Sequence, residues 1–85
     1  MTLDLVYFAW VREQIGTGTE RVELPPEVRD VRGLVTWLAG RSPAHAAALA
    51  EPERLRAAAD DRFVSMDFEL AGTRELALFP PVTGG

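Results

Sequence analysis

A chain of 85 residues and 9.3 kDa, 47% hydrophobic and 26% charged, is one small domain that can bury roughly 60% of the surface its unfolded form exposes. Thirteen acidic residues against nine arginines leave a net charge of −4 with no lysine and no basic run, a poor match to a phosphate backbone. The absence of cysteine excludes a disulfide framework, a thiolate zinc site, an iron–sulfur cluster and a cysteine nucleophile.

No apolar stretch approaches the ~20 residues that span a bilayer. Met1-Thr2-Leu3-Asp4 carries no basic n-region, so the expected compartment is the cytoplasm and no membrane partner is expected.

Leu3, Leu5, Tyr7 and Ala9 alternate with Asp4, Val6 and Phe8, a period of two that predicts a strand. Val11-Arg12-Glu13-Gln14-Ile15 predicts a turn or two of helix closed by Gly16. Val22 and Leu24 alternate with Arg21 and Glu23 as a second strand, ended by Pro25-Pro26. Asp30 is a good N-cap for a helix whose apolar stripe is Val31, Leu34, Val35 and Leu38, with Trp37 half exposed on its flank. Ser42-Pro43 restarts a helix through the alanine-rich run to Ala50, and Pro52 is expected to stop it. Leu55, Ala57 and Ala59 alternate as a third strand, Asp60-Asp61 is a turn, and Phe63-Val64-Ser65-Met66 is a short fourth strand. Ala71-Gly72-Thr73 turns into a fifth strand, Glu75 to Phe79, which Pro80-Pro81 terminates.

This order predicts an α+β domain, a mixed sheet of about five strands with helices on one face. Two hairpin-like halves around a crossover helix suggest the ubiquitin-like β-grasp, with a ferredoxin-like split βαβ as competitor. Residues 1–81 form the expected domain and 82–85 a flexible tail.

Few residues offer chemistry. His45 stands alone among alanines, lacks a visible partner, and reads as a solvated surface residue. Asp60, Asp61, Asp67 and Glu69 read as turn and surface acids, since a chain this small has little room for a cleft between paired carboxylates. Val6, Phe8, Trp10 and Phe79 fall off the helix-facing side. Either the strand phase is misjudged or they form a partner-binding patch on the open sheet face.

The informative feature is the end of the sequence. At a glycine frequency of about 7%, a terminal Gly-Gly arises by chance roughly once in 200 chains. Gly84 and Gly85 have no Cβ, so they fit a channel too narrow for side chains and bring the terminal carboxylate to an enzyme that adenylates it. Pro80-Pro81 stiffens the exit from the fold.

Phe79-Pro80-Pro81-Val82-Thr83-Gly84-Gly85 resembles the ending of the small, sulfur-carrier subunits of molybdopterin synthase, and Tyr7-Phe8-Ala9-x-Val11-Arg12-Glu13-x-Ile15-Gly16 resembles their first strand and following helix. Two turns depart from the family pattern: Asp60 stands where asparagine is expected, and Gly72-Thr73-Arg74-Glu75 replaces a Gly-Asp-Glu type of turn. The resemblance implies a carrier that binds no cofactor. An activating enzyme consumes ATP to adenylate Gly85, a thiocarboxylate follows, and sulfur passes to a pyranopterin precursor in the large synthase subunit, which supplies the acid–base groups. It further implies a heterotetramer of two carriers on a dimer of large subunits, with Phe8, Phe79, Pro80, Pro81, Val82 and Thr83 at the partner and Gly84 beside the reacting end. The alternatives are a carrier for thiazole or another thiolated product, and a β-grasp interaction module without an activated tail.

Overall fold

The computed structural model describes residues 1–81. Strand β1 (Thr2–Tyr7) turns Leu3, Leu5 and Tyr7 inward. The predicted alternation ends there, because Ala9 opens helix α1 (Ala9–Ile15) at a φ of 53° and does not continue the strand. Gly16 closes α1 as predicted, at a φ of 95°, with its N–H donating to Arg12 O at 2.9 Å. Strand β2 (Thr19–Glu23) returns antiparallel to β1, with Leu3 opposite Val22 and Leu5 opposite Glu20.

Helix α2 (Val31–Ala39) buries Val31, Leu34, Val35 and Leu38, the predicted stripe. Three donors of its first turn find acceptors. The Asp30 carboxylate takes the Gly33 N–H at 2.7 Å, while Val31 and Arg32 donate to the carbonyls of Phe68 and Met66 at 3.1 and 2.8 Å. Trp37 is half-buried, with the Arg41 guanidinium 5.0 Å from its ring centroid.

Helix α3 (Pro43–Ala48) begins as predicted, with the Ser42 hydroxyl accepting the His45 N–H at 3.1 Å. It ends sooner than predicted. Leu49 is its C-cap, and Pro52 opens a 3-10 turn (Pro52–Arg54), a position its fixed φ suits.

Strand β3 (Arg56–Ala59) joins β4 (Arg62–Val64) through Asp60 and Asp61, both left-handed at φ 46° and 71°, the turn whose twist matches its flanking strands. β4 is one residue shorter than predicted and excludes Ser65 and Met66, whose loop caps α2. Strand β5 (Glu75–Phe79) has its predicted bounds. The Asp60 carboxylate accepts the N–H groups of Arg74 and Glu75 at 3.2 and 3.0 Å. The two turns that depart from the family pattern are thus bonded to each other.

The sheet order is β2-β1-β5-β3-β4. β1 and β5 pair in parallel at its centre and every other pairing is antiparallel. Parallel strands that are direct neighbours exclude the split βαβ layout and make this a β-grasp. The helices cover one face, and Leu5, Leu24, Leu34, Val35 and Leu38 lie in the core as expected. Among the described residues no helix is long and apolar enough to cross a membrane.

Candidate functional site: an aromatic corner at the end of the last strand

Side chains alternate across a strand, so whatever β5 does not bury in the core it presents on the open face. Ala77 and Phe79 lie there, flanked in register by Val6 on β1 and by Arg56 and Ala58 on β3, with Phe63 of β4 beyond Ala58. Three aromatic rings meet at this corner. Phe8 and Phe79 pack edge to face at 6.5 Å between centroids, and Phe63 tilts against Phe79 at 5.8 Å. Phe63 is 82% exposed and Phe8 49%. The phase inferred from the sequence is therefore correct for Val6, Phe8 and Phe79, which with Phe63 form an apolar patch off the core.

The other end of the same face is charged. Arg21 pairs with Asp4 at 2.7 Å and holds the Asp4 carboxyl below its ordinary value. The Met1 amine pairs with Glu23 at 3.0 Å. The open face is thus apolar where β5 ends and ionic where it begins.

Phe8, Phe79, Pro80 and Pro81 gather at the apolar end, the two prolines half-buried directly after β5. Val82, Thr83, Gly84 and Gly85 lie outside the described residues. Trp10 does not belong to the patch. It sits on α1 and lines a cleft against Ala47, Ala48 and Ala50, with the Arg54 guanidinium 5.8 Å from its ring. Extending the strand alternation past Tyr7 misplaced it. Phe63 was missed as a member of the patch, because only the β5-β3-β4 order brings it to Phe79.

His45 corrects the sequence reading. It is 8% exposed, and its ring nitrogens are both bonded, Nε2 to Glu20 Oε2 at 2.7 Å and Nδ1 to the Ser42 hydroxyl at 2.7 Å. Tyr7 donates its phenol to the same Glu20 oxygen at 2.6 Å. The arrangement that satisfies every group has Ser42 donating to Nδ1 and Nε2–H donating to Glu20. Burial raises the Glu20 carboxyl, but hydrogen bonds from Tyr7 and His45, with the charge of Arg41, outweigh it and leave the group below its ordinary value. Burial, then Glu20, pushes the Tyr7 phenol up. The signal in the sequence was Glu20 itself, in the same inward phase as Val22 and Leu24, where a carboxylate needs partners.

The surface acids serve structure. Asp60 caps the entry to β5, Asp67 pairs with Arg32 at 3.1 Å, and Glu69 bridges to Asp30 through the backbone. Among the described residues no group of three or more His, Asp or Glu is placed to hold a metal ion. What the described residues offer at this corner is an exposed aromatic patch directly ahead of Pro80-Pro81.

Comparison with known proteins agrees over nearly the whole chain. The model of the ThiS family matches residues 5–85. The molybdopterin synthase sulfur carrier subunit of Escherichia coli (strain K12) is 39% identical over 83 residues, covering 98% of this chain and 99% of that one. Among solved structures, SAMP1 from Haloferax volcanii superposes with a TM-score of 0.76 at 26% identity, with both chains covered completely. A putative molybdopterin converting factor, subunit 1, from Pyrococcus furiosus superposes at 0.72 and 26% identity, covering 96% of this chain and 99% of that one. The β-grasp sheet, the aromatic corner at the end of β5 and the match from residue 5 to residue 85 together make this chain a member of the ThiS family.

Proposed function

We propose that the chain is the sulfur carrier of molybdopterin synthase in molybdenum cofactor biosynthesis and docks on the large synthase subunit through the aromatic corner. The observation that supports this reading most is the coincidence of the Phe8–Phe79–Phe63 cluster with the strand that leads into Pro80-Pro81-Val82-Thr83-Gly84-Gly85. A patch at that place holds the arm at its root and leaves its end for an active site.

The chemistry follows from the carboxylate. It is a poor electrophile until adenylation by an activating enzyme, with release of pyrophosphate from ATP, makes AMP its leaving group. A sulfide-level nucleophile displaces AMP, and the resulting thiocarboxylate on Gly85 carries a soft sulfur that adds to the pyranopterin precursor; water then cleaves the acyl–sulfur bond, leaving sulfur on the pterin and returning the Gly85 carboxylate. The large subunit, two copies binding two carriers, provides the acid–base groups. With no cysteine and no lysine, the chain offers no thiol or ε-amine of its own to intercept the activated end.

Incubation with the activating enzyme, ATP and a sulfur donor is expected to add the mass of one oxygen-to-sulfur exchange, mapped to Gly85. Deleting Gly84 and Gly85 should abolish that gain and molybdopterin formation while leaving the melting temperature unchanged. A truncated chain that still supports molybdopterin formation would refute the carrier reading and favour an interaction module. The second reading is the alternative raised by the sequence, a carrier for thiazole or another thiolated product within the same family. Sulfur transfer to the thiazole-forming enzyme, with none to the large synthase subunit, would select it.

A further inference from the structure

Beside the aromatic corner sits a cation that the core does not need. Arg56 opens β3 directly opposite Phe79, so both side chains leave the sheet on its open face. With Ala57, Phe63, Val64 and Phe79 it lines a hollow of about 280 Å3. Exposed arginines ordinarily sample many rotamers, but this one is tied down. Its Nη1 donates to the carbonyls of Leu55 and Glu53 at 2.8 and 3.2 Å. Among the described residues no hydrogen bond uses Nε or Nη2, and no carboxylate lies within ion-pair distance. By contrast Arg21, Arg32 and Arg54 each hold an acid of the same chain. The Nε–Nη2 edge is the one that accepts a carboxylate through two parallel bonds.

Resting on the docking reading above, we propose that Arg56 is a specificity determinant of that interface and takes an Asp or Glu carboxylate of the large synthase subunit, beside an aliphatic side chain that fills the hollow over Phe63 and Phe79. Charge favours this occupant. The carrier as a whole is acidic, at −4, and steers toward a positive partner surface. A cation fixed at one corner of its apolar patch then demands a local acid, which sets the rotation of the carrier on its partner and so the direction in which the tail leaves. Anchoring of Nη1 reduces the rotamer freedom lost on binding.

Calorimetric titration of the large subunit with wild-type carrier, Arg56→Met, Arg56→Glu and Phe79→Ala tests this, with thermal melts of each variant alone. Arg56→Met keeps an apolar stem and removes the charge. It should bind about tenfold more weakly, with a shallower salt dependence than wild type, and Arg56→Glu more weakly still. Changing the facing acid of the large subunit to lysine should restore binding to Arg56→Glu. If Arg56→Met binds like wild type while Phe79→Ala binds poorly, the ion pair is wrong and the docking patch stands. If Phe79→Ala also binds like wild type, the docking reading fails with it.

Discussion

Each face of the sheet carries one local exception to the rule of apolar inside and polar outside. The covered face holds a polar knot, Tyr7–Glu20–His45–Ser42, under α3. The open face holds three phenylalanines in solvent at the end of β5. Each departure is informative for the opposite reason. No buried side-chain polar atom among the described residues lacks a hydrogen-bond partner, so the knot is complete and ties α3 to β1 and β2. Among the described residues the phenylalanine cluster has no covering layer, and Phe63 and Phe8 stand exposed. A satisfied anomaly serves the fold; an uncovered one is what the docking proposal turns on.

Mutations that separate these roles sharpen the contrast. The largest stability loss belongs to neither anomaly but to the core they border. Leu34→Ala should cost about 2–5 kcal/mol through lost transfer energy and the cavity left behind, measured by urea denaturation. Phe79→Ala should behave inversely and remove about 2 kcal/mol or more of binding energy to the large subunit, with a much smaller change in the free carrier's melt. Glu20→Ala strands the Tyr7 phenol and the His45 ring and should cost about 1–3 kcal/mol of stability with partner affinity unchanged. Equal losses of affinity and stability in both variants would erase the distinction between the faces.

The smallest effect is in pH dependence, and its sign follows from the knot. The folded Glu20 carboxyl lies below its ordinary value of 4.5, so its contribution is present above that value and disappears as pH falls through the folded value. The Tyr7 phenol is raised above its ordinary 10.0, so its contribution is present below that value and is lost as pH rises beyond it. Denaturation midpoints should form a plateau between these limits; Glu20→Gln should flatten the acid limb and, by removing one cause of the Tyr7 shift, soften the alkaline limb as well.

How much of this was legible depended on how far each signal reached along the chain. The Asp30 and Ser42 caps, the Gly16 stop and the Asp60-Asp61 turn are set by neighbours within a few residues, and each was read correctly. Pro52 was misread because a proline suits the start of a helical turn as well as the end of one. Trp10 was misread because a strand period continues on paper after the backbone has turned at Phe8 and Ala9. The burial of His45 and the gathering of Phe63 onto Phe79 needed contacts between residues 25 and 16 positions apart in the chain. No local pattern reports such distances. Arg56 looked like any strand-edge arginine until its register opposite Phe79 was known.

The central position of β5 carries a consequence for synthesis and turnover. Of the five strands of this sheet β5 leaves the ribosome last, yet it fills the gap between β1 and β3. Until it is made, β1–β2 and β3–β4 are separate hairpins with unpaired inner edges, and the long-range pairing that closes the sheet forms late. The strand that carries Phe79 is therefore the closing piece of the sheet, so an incompletely folded chain cannot present a well-formed aromatic corner. Proteolysis obeys the same logic: a cut within Glu75–Phe79 severs the pairing that joins β1 to β3 and so opens the sheet at its centre.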